Sequence, residues 1–390
     1  MTQSAILTLN SGSSSLKLGL FALDLSPLAT AHVDRLGSAE ASLKLKGAEG
    51  QALPVPAVTA DDFATQTLAL KTALTAFRHD LPGLEVVAVG HRIVHGGTDH
   101  AEPERVSEVL LADLDRLSPF APLHQPHNLA GVRAALEAFA GVPNIACYDT
   151  AFHRGHPFVA DTYALPRRYY EKGVRRYGFH GLSYSYIDSE LAALEPELRA
   201  GRVVVAHLGS GASICAIEAG QSIACTMGFS TLSGLPMGSR AGELDAGVVL
   251  YLMDQEKMGP EDLTELLFKQ SGLLGMSGVS NDMRRLEASD NPHAREAIDY
   301  FCHRVKREIA SLAAAMGGID GLVFCGGIGE NSARVRASVC AGLGFMGVEI
   351  DATANAAHRR AISTGRVAVR VIPTNEELVI ARAAKAALNL

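Results

Sequence analysis

Residues 6–17 read ILTLNSGSSSLK, and the fold turns on how that stretch is read. Ile6, Leu7 and Leu9 form an apolar run too short for a helix and the right length for a strand. Asn10 ends it, Ser11-Gly12-Ser13-Ser14-Ser15 follows, and a second apolar run from Leu16 to Phe21 carries Lys17 inside it. Strand, short polar turn and strand make a hairpin. A turn of this composition has almost no side-chain bulk. It offers backbone N–H groups, hydroxyls and one nearby cation, which are the donors a phosphate chain requires. A Ser/Gly hairpin turn with no ligand is the plainer reading of the segment in isolation.

The motif returns. Residues 202–214 read RVVVAHLGSGASI, again an apolar strand, a small-residue turn (Gly209 to Ser213) and an apolar continuation. Matching Ser15 to Ser213 gives an offset of 213 − 15 = 198 residues, about half of the 390-residue chain. A repeat at half-length implies two copies of one domain facing each other across a cleft, with two turns gripping one polyphosphate. Neither turn has the GxxxxGK[ST] or GxGxxG spacing of the common nucleotide loops.

Bulk properties narrow the class. A length of 390 residues favours two domains, and 47% apolar with 20% charged residues is ordinary for a water-soluble globular chain. No apolar run approaches a membrane span, and the N-terminus lacks a signal-peptide pattern. Six scattered cysteines without a CxxC pair read as buried thiols in a reducing compartment, the cytoplasm. A formal charge of −7 argues against a nucleic-acid protein. The basic, tyrosine-rich stretch 166–177 (PRRYYEKGVRRY) is the counter-signal, and suits an anionic substrate or a surface better.

Along the chain, residues 1–60 read as strands. Asp61 or Asp62 can cap a helix through Leu68, Leu74 and Phe77. A strand over Val86–Val89 leads to Arg92 in a glycine-flanked loop. Three prolines keep 118–128 from being helical, and a helix follows from Leu129. Gly178 to Gly181 is a tight turn with a helix from Ser183. Asn291-Pro292 opens the longest helix, which stops at Gly317-Gly318. The strand Leu322–Cys325 runs into a glycine turn at 326–331, and a helix from about Thr374 closes the chain. Strands first and strand–helix units later suit a mixed-sheet α/β fold.

The residue types that could do chemistry cluster in loops. His91/His95, His124/His127 and His153/His156 have metal-compatible spacing, but no acidic ligand joins them as in HExxH, and lone histidines are more often hydrogen-bonders. Arg92 and Arg240, with Asp149 and His180 in similar loops, form a plausible anion clamp.

Ten segments together carry a resemblance: LNSGSSSLK, GHRIVHGG, APLHQPHN, YDTAFH, RYGFHGLS, HLGSGAS, MGSRAGELD, SNDMR, CGGIGEN and TNEELVIAR. They run from residue 9 to 382, and in this order they resemble the acetokinase family, the acetate kinases of the acetate and sugar kinase/Hsc70/actin superfamily. The resemblance implies two duplicated ribonuclease H-like (actin-like ATPase) domains, each with a mixed β-sheet, and an active site in the interdomain cleft. It implies an N-terminal acyl/phosphate domain over 1–150 plus 375–390, and a nucleotide domain over 151–374. It implies reversible phosphoryl transfer between ATP and acetate, with Mg²⁺ or Mn²⁺, in a homodimer.

The same resemblance assigns residues. Asn10 and Glu376 match the metal site, and Lys17 a phosphate contact. His207, Leu208, Gly209, Ser210 and Gly211 match the second phosphate loop. Asp282, Met283 and Arg284 match part of the adenosine pocket, as do Gly327, Ile328, Gly329, Glu330 and Asn331. Arg92 matches the acyl-carboxylate contact, Asp149 an acid/base-type residue, and His180 and Arg240 transition-state stabilisers. Val94, Leu123, Phe179 and Thr231 match the acyl methyl pocket. Two positions depart from the common pattern: Thr231 stands where many relatives have Pro, and Ser210 where Asn is common.

Physical chemistry orders these roles. The acceptor carboxylate is already ionised at pH 7, so the barrier is bringing one anion onto another. Positioning and cations dominate phosphoryl transfer, and a finger-type arginine is worth roughly 10³–10⁵ in rate. Asp149, itself an anion, is expected to orient an arginine or a metal-bound water rather than act as a base. A propionate kinase is the nearest alternative, since one methylene discriminates by only about 1–3 kcal/mol. Butyrate needs more room than Phe179 and Leu123 suggest. A pyrophosphate-dependent enzyme is disfavoured by the glycine turn at 326–331. A non-catalytic nucleotide switch has no need of Arg92, Asp149, His180 and Arg240 together.

Overall fold

In the computed structural model, which describes residues 3–12 and 14–390, the opening apolar run is strand β1 (Gln3–Ser11) and its continuation is β2 (Ser15–Ala22). They pair antiparallel with Asn10 opposite Lys17 and Ser11 opposite Leu16. The Gly12 N–H donates to the Ser15 carbonyl at 2.8 Å and closes the turn. Ser13, one of the turn residues singled out above, lies outside the described residues.

Strands β3 (Pro27–Asp34), β4 (Ser42–Gly47) and β5 (Ala52–Leu53) extend this sheet on one side. On the other, β6 (Leu84–Ile93) and β8 (Asn144–Tyr148) run parallel to β1, and β7 (Glu104–Arg105) closes the edge. Among the described residues the order is β5-β4-β3-β2-β1-β6-β8-β7. The second sheet comprises β9 (Arg202–Leu208), β10 (Ala212–Glu218), β11 (Gln221–Cys225), β12 (Gly321–Cys325) and β13 (Ala368–Val371), ordered β11-β10-β9-β12-β13. Each sheet therefore holds the same five-strand core, an antiparallel meander followed by two strands parallel to the first. This is a duplicated α/β fold with two mixed sheets. The chain divides into two compact units, residues 1–151 with 375–390 and residues 152–374.

The duplication corrects the internal alignment. His207 pairs with Ser213 as Asn10 pairs with Lys17, and Gly209 N–H donates to Gly211 carbonyl (3.1 Å) as Gly12 does to Ser15. Lys17, not Ser15, is the counterpart of Ser213. The offset is 207 − 10 = 197 on the first strands and 213 − 17 = 196 on the second. The second turn is one residue shorter, and turn length sets hairpin register.

Other expectations shift for local reasons. The helix Gln66–Asp80 is capped by Thr65, whose hydroxyl accepts from Leu68 N–H at 3.2 Å, while Asp61 and Asp62 sit in a preceding 3₁₀ turn. The helix expected from Leu129 spans Gln125–Ala138, because Pro126 falls in its first turn, where proline costs no hydrogen bond. Arg92 is not in a loop: β6 continues through it to Ile93. The helix Gly181–Leu194 starts at a His180 cap rather than at Ser183, and residues 326–331 form a short helix instead of a turn. No helix among the described residues is long and apolar enough to cross a membrane.

The first core joins Leu7, Leu9, Leu16, Leu18 and Leu20 of the hairpin to Leu70, Ala73 and Phe77 of the helix Gln66–Asp80. On the sheet's other side, the helix Glu376–Leu388 crosses β6 at Gly90, where an added Cβ would come 2.4 Å from the Ile380 side chain and 3.2 Å from its carbonyl. A side chain at residue 90 must push this helix away, and with it Glu376 in the helix's first turn. Gly90→Val is expected to lower unfolding free energy by about 1–3 kcal/mol, the usual range for overpacking. Urea denaturation checks this; a change under about 0.5 kcal/mol would mean the helix yields freely.

Candidate active site

The parallel strands β1, β6 and β8 deliver Asn10, Arg92 and Asp149 from their carboxyl ends, the side of such sheets that binds ligands. Asp149 is fully buried, anchored by its own N–H to the Ile93 carbonyl at 2.9 Å. Its carboxylate clasps Arg92: Nε lies 3.1 and 3.0 Å from the two oxygens and Nη2 2.5 Å from one. Arg92 Nη1 donates to the Asn10 amide oxygen at 3.0 Å, and Nε lies 3.8 Å from the Glu376 carboxylate. Burial opposes the guanidinium's charge, but Asp149 and Glu376 outweigh it and hold Arg92 above the usual arginine range. Breaking such a buried pair by removing one partner costs about 3–5 kcal/mol.

Glu376 stands differently. Burial raises its pKa more than Arg92 lowers it, and neighbouring Glu377 adds to the rise. Its carboxylate is thus under-compensated. Together with the Asn10 amide oxygen, which keeps a second lone pair, it forms a hard-oxygen donor set suited to a divalent cation that retains waters and phosphate ligands. Lys17, exposed, faces Asn10 across the hairpin.

Two side-chain amides that the sequence reading missed brace the first turn. Asn128 accepts from Val94 N–H at 2.8 Å and donates to the Ser11 carbonyl, and Gln66 Nε2 donates to the Gly12 carbonyl at 2.6 Å. Polar residues in amphipathic helices gave no hint of this.

In the second unit, His180 caps the helix Gly181–Leu194 in the left-handed conformation (φ 59°), a strained state for a non-glycine residue. Its ring stacks on His207, with centroids 4.3 Å apart and an interplanar angle of 21°. Its Nδ1 lies 2.8 Å from Ser213 Oγ. A Cβ on Gly211 would meet His180 Nε2 at 3.3 Å and Arg240 Nη1 at 3.9 Å, so both side chains border the second hairpin turn. Arg240 Nη1 also donates to the Thr231 carbonyl at 3.0 Å. Gly238 N–H donates to the Ser210 carbonyl at 3.1 Å, which ties the Arg240 loop to that turn.

His153 secures the preceding backbone. Burial pushes its pKa down to about 3, and its Nε2 lies 3.1 Å from the Phe179 carbonyl. Gly178 (φ 76°) is required here, since a Cβ would overlap the His153 ring at 2.5 Å. Three of the other paired histidines also make side-chain hydrogen bonds. His91 meets Asn144 Oδ1 at 2.7 Å, His95 Nδ1 accepts from Gly97 N–H at 2.9 Å, and His156 meets Ser222 Oγ at 2.7 Å.

The remaining assigned residues divide. Gly327 has open space where a Cβ would stand, leaving its backbone approachable. Asn331 Nδ2 donates to the Gly327 carbonyl, and Glu330 accepts from the N–H groups of Gly326 (2.8 Å) and Thr374 (3.1 Å). A fully buried Arg336, unnoticed in the sequence, donates to the carbonyls of Gly329 and Glu330 and fixes this short helix from below. Leu208 and Met283 are buried, and Arg284 is turned onto Asp282 (2.7 Å). Val94 and Leu123 belong to the first unit, Phe179 and Thr231 to the second. In the basic stretch, Arg167, Arg168, Arg175 and Arg176 each stack over a phenylalanine or tyrosine ring, which occupies them within the chain.

Known proteins resemble this chain over nearly its whole length. The family model described as the acetokinase family matches residues 5–382. An acetate kinase of Methylocella silvestris is 49% identical over 98% of both chains, and one of Nitrobacter hamburgensis is 47% identical over 97% of this chain and 95% of its own. Among solved structures, Porphyromonas gingivalis acetate kinase superposes with a TM-score of 0.89 at 37% identity, covering 99% of this chain and 100% of that one. A propionate kinase from Francisella tularensis superposes at 0.90 with 33% identity, covering 98% and 99%. The chain belongs to the acetokinase family, phosphotransferases that use ATP or ADP and a divalent metal and take a carboxyl group as acceptor.

Proposed function

We propose that this chain transfers the γ-phosphoryl group of ATP to acetate by direct in-line displacement, giving acetyl phosphate and ADP, and runs the reaction in reverse. The observation that carries the reading is the clasped Arg92. A guanidinium with Nε and Nη2 committed to a buried carboxylate and Nη1 to Asn10 has one fixed orientation. It can present an edge to the acceptor carboxylate without reorganising. Asp149 serves as its orienting partner rather than as a base.

His180 and Arg240 supply the second set of donors beside Gly211, where charge on the moving phosphoryl group is to be spread. The reaction requires both sets to act on one phosphoryl group. Residues 207–211 and Lys17 take the phosphates. The 282–284 and 327–331 segments take adenosine. Asn10 and Glu376 hold the divalent ion, Mg²⁺ or Mn²⁺, which neutralises phosphate charge when bound. Residues 1–151 with 375–390 thus form the acyl and phosphate unit, and 152–374 the nucleotide unit.

Acetate is the preferred acid, with Val94, Leu123, Phe179 and Thr231 around its methyl group. The helix Ala246–Gln255 supports a homodimer: it exposes Val248, Leu250, Tyr251 and Met253 and buries none of its residues. The enzyme works in the cytoplasm, where thiols such as the six buried free cysteines persist. Nucleic acid and membrane are not partners.

Three outcomes are expected in an acyl-hydroxamate assay with ATP. Arg240→Ala loses roughly 10³-fold or more in kcat with the fold intact by circular dichroism; a variant within about threefold of the parent refutes the assignment. Asp149→Asn loses activity that does not return as pH is raised, because an orienting carboxylate is missing and not a base. Recovery at alkaline pH would make Asp149 a proton acceptor. Acetate exceeds propionate in kcat/KM by up to about 1–3 kcal/mol of discrimination, and the reverse order would make propionate the substrate.

A further inference from the structure

Ser213 Oγ sits between two groups: His180 Nδ1 at 2.8 Å and the Tyr184 hydroxyl at 2.5 Å. Ser213 and Tyr184 are both fully buried, so each polar hydrogen must find an acceptor inside the protein. The Tyr184 side chain has Ser213 Oγ as its hydrogen-bond partner, and the phenol is held protonated because burial pushes its pKa well up. Its proton must therefore be donated to Ser213 Oγ. A serine hydroxyl carries one hydrogen and can accept twice. With a lone pair taken by Tyr184, its hydrogen points at His180 Nδ1, which must then be the acceptor. The Cys225 thiol also borders this hydroxyl, but sulfur is a weak acceptor beside an imidazole nitrogen. A neutral imidazole that accepts at Nδ1 carries its proton on Nε2. That Nε2 is the atom lying 3.3 Å from where a Cβ on Gly211 would stand, at the second hairpin turn.

We propose that Ser213 and Tyr184 are positioning residues that set His180 in its Nε2–H tautomer, so that the ring offers a donor and not a lone pair toward the phosphoryl group. This rests on the reading of His180 as a donor to that group. Two sequence features explain why the device was not visible. Ser213, read from sequence as part of the turn, stands on β10. Tyr184 lies on the buried face of a helix, where an aromatic residue is ordinary core. His180 also holds a left-handed backbone, a strained state for a residue other than glycine.

The test uses the full-length protein with ¹⁵N-labelled histidine, at alkaline pH where the ring is neutral. His180 is assigned by comparison with His180→Ala. The parent is expected to show a protonated, pyrrole-type Nε2 and an unprotonated, pyridine-type Nδ1. Ser213→Ala should give mixed tautomers and lower kcat at least about tenfold, against the 10²–10³ that losing such a donor outright costs, with KM for ATP and acetate within threefold. Tyr184→Phe keeps the ring's packing and should shift the same resonances toward a mixture with a smaller loss in kcat, which covers the case of a Ser213→Ala that fails to fold. A parent with the proton on Nδ1, or variants whose His180 shifts match the parent's, overturns the proposal. The His180→Ala variant reports separately on the donor role: full kcat there sinks that role while the tautomer assignment stands on its own spectra.

Discussion

The first unit depends on one buried ion pair. Asp149 has no exposure, and Arg92 lies across its charge with three contacts of 3.1 Å or less. Geometry makes that possible. β6 and β8 run parallel and in register, with Arg92 paired to Cys147 and Ile93 to Tyr148, so Asp149 emerges one residue beyond the last pair. A loop-borne arginine would wander over many rotamers. A strand-borne arginine clasped at two nitrogens cannot, and the entropy of fixing it is lost on folding rather than during the reaction.

Glycine decides how closely the rest can approach. Gly90 lets the last helix lie against β6, and so brings Glu376, from the far end of the chain, to within 3.8 Å of Arg92. Gly326 (φ 75°) lets a helix start immediately after β12, where a Cβ would come 2.7 Å from the Leu208 carbonyl.

The two units repeat one topology with different chemistry at matching positions. Asn10 and Lys17 face one another on the first hairpin; His207 and Ser213 do so on the second. The first hairpin thus carries a cation and an amide oxygen suited to phosphate and metal. Its counterpart carries an imidazole that stacks on His180 and a hydroxyl that fixes it. The two units thus share one frame and carry different residues at its equivalent positions.

Much of this was legible beforehand, and the parts that were not share a cause. The strand–turn–strand units, the half-length repeat, the helix cap at Asn291 and the reactive residue types are local properties: apolar period, turn composition and capping chemistry act within a few residues. The strand placement of Arg92 and the buried roles of Asn128 and Tyr184 depend on partners tens to more than a hundred residues away. The sequence by itself determined which groups could hold and move a phosphoryl group. Only the tertiary structure decided which nitrogen of each points where, because orientation is fixed by burial and hydrogen-bond partners that distant segments bring.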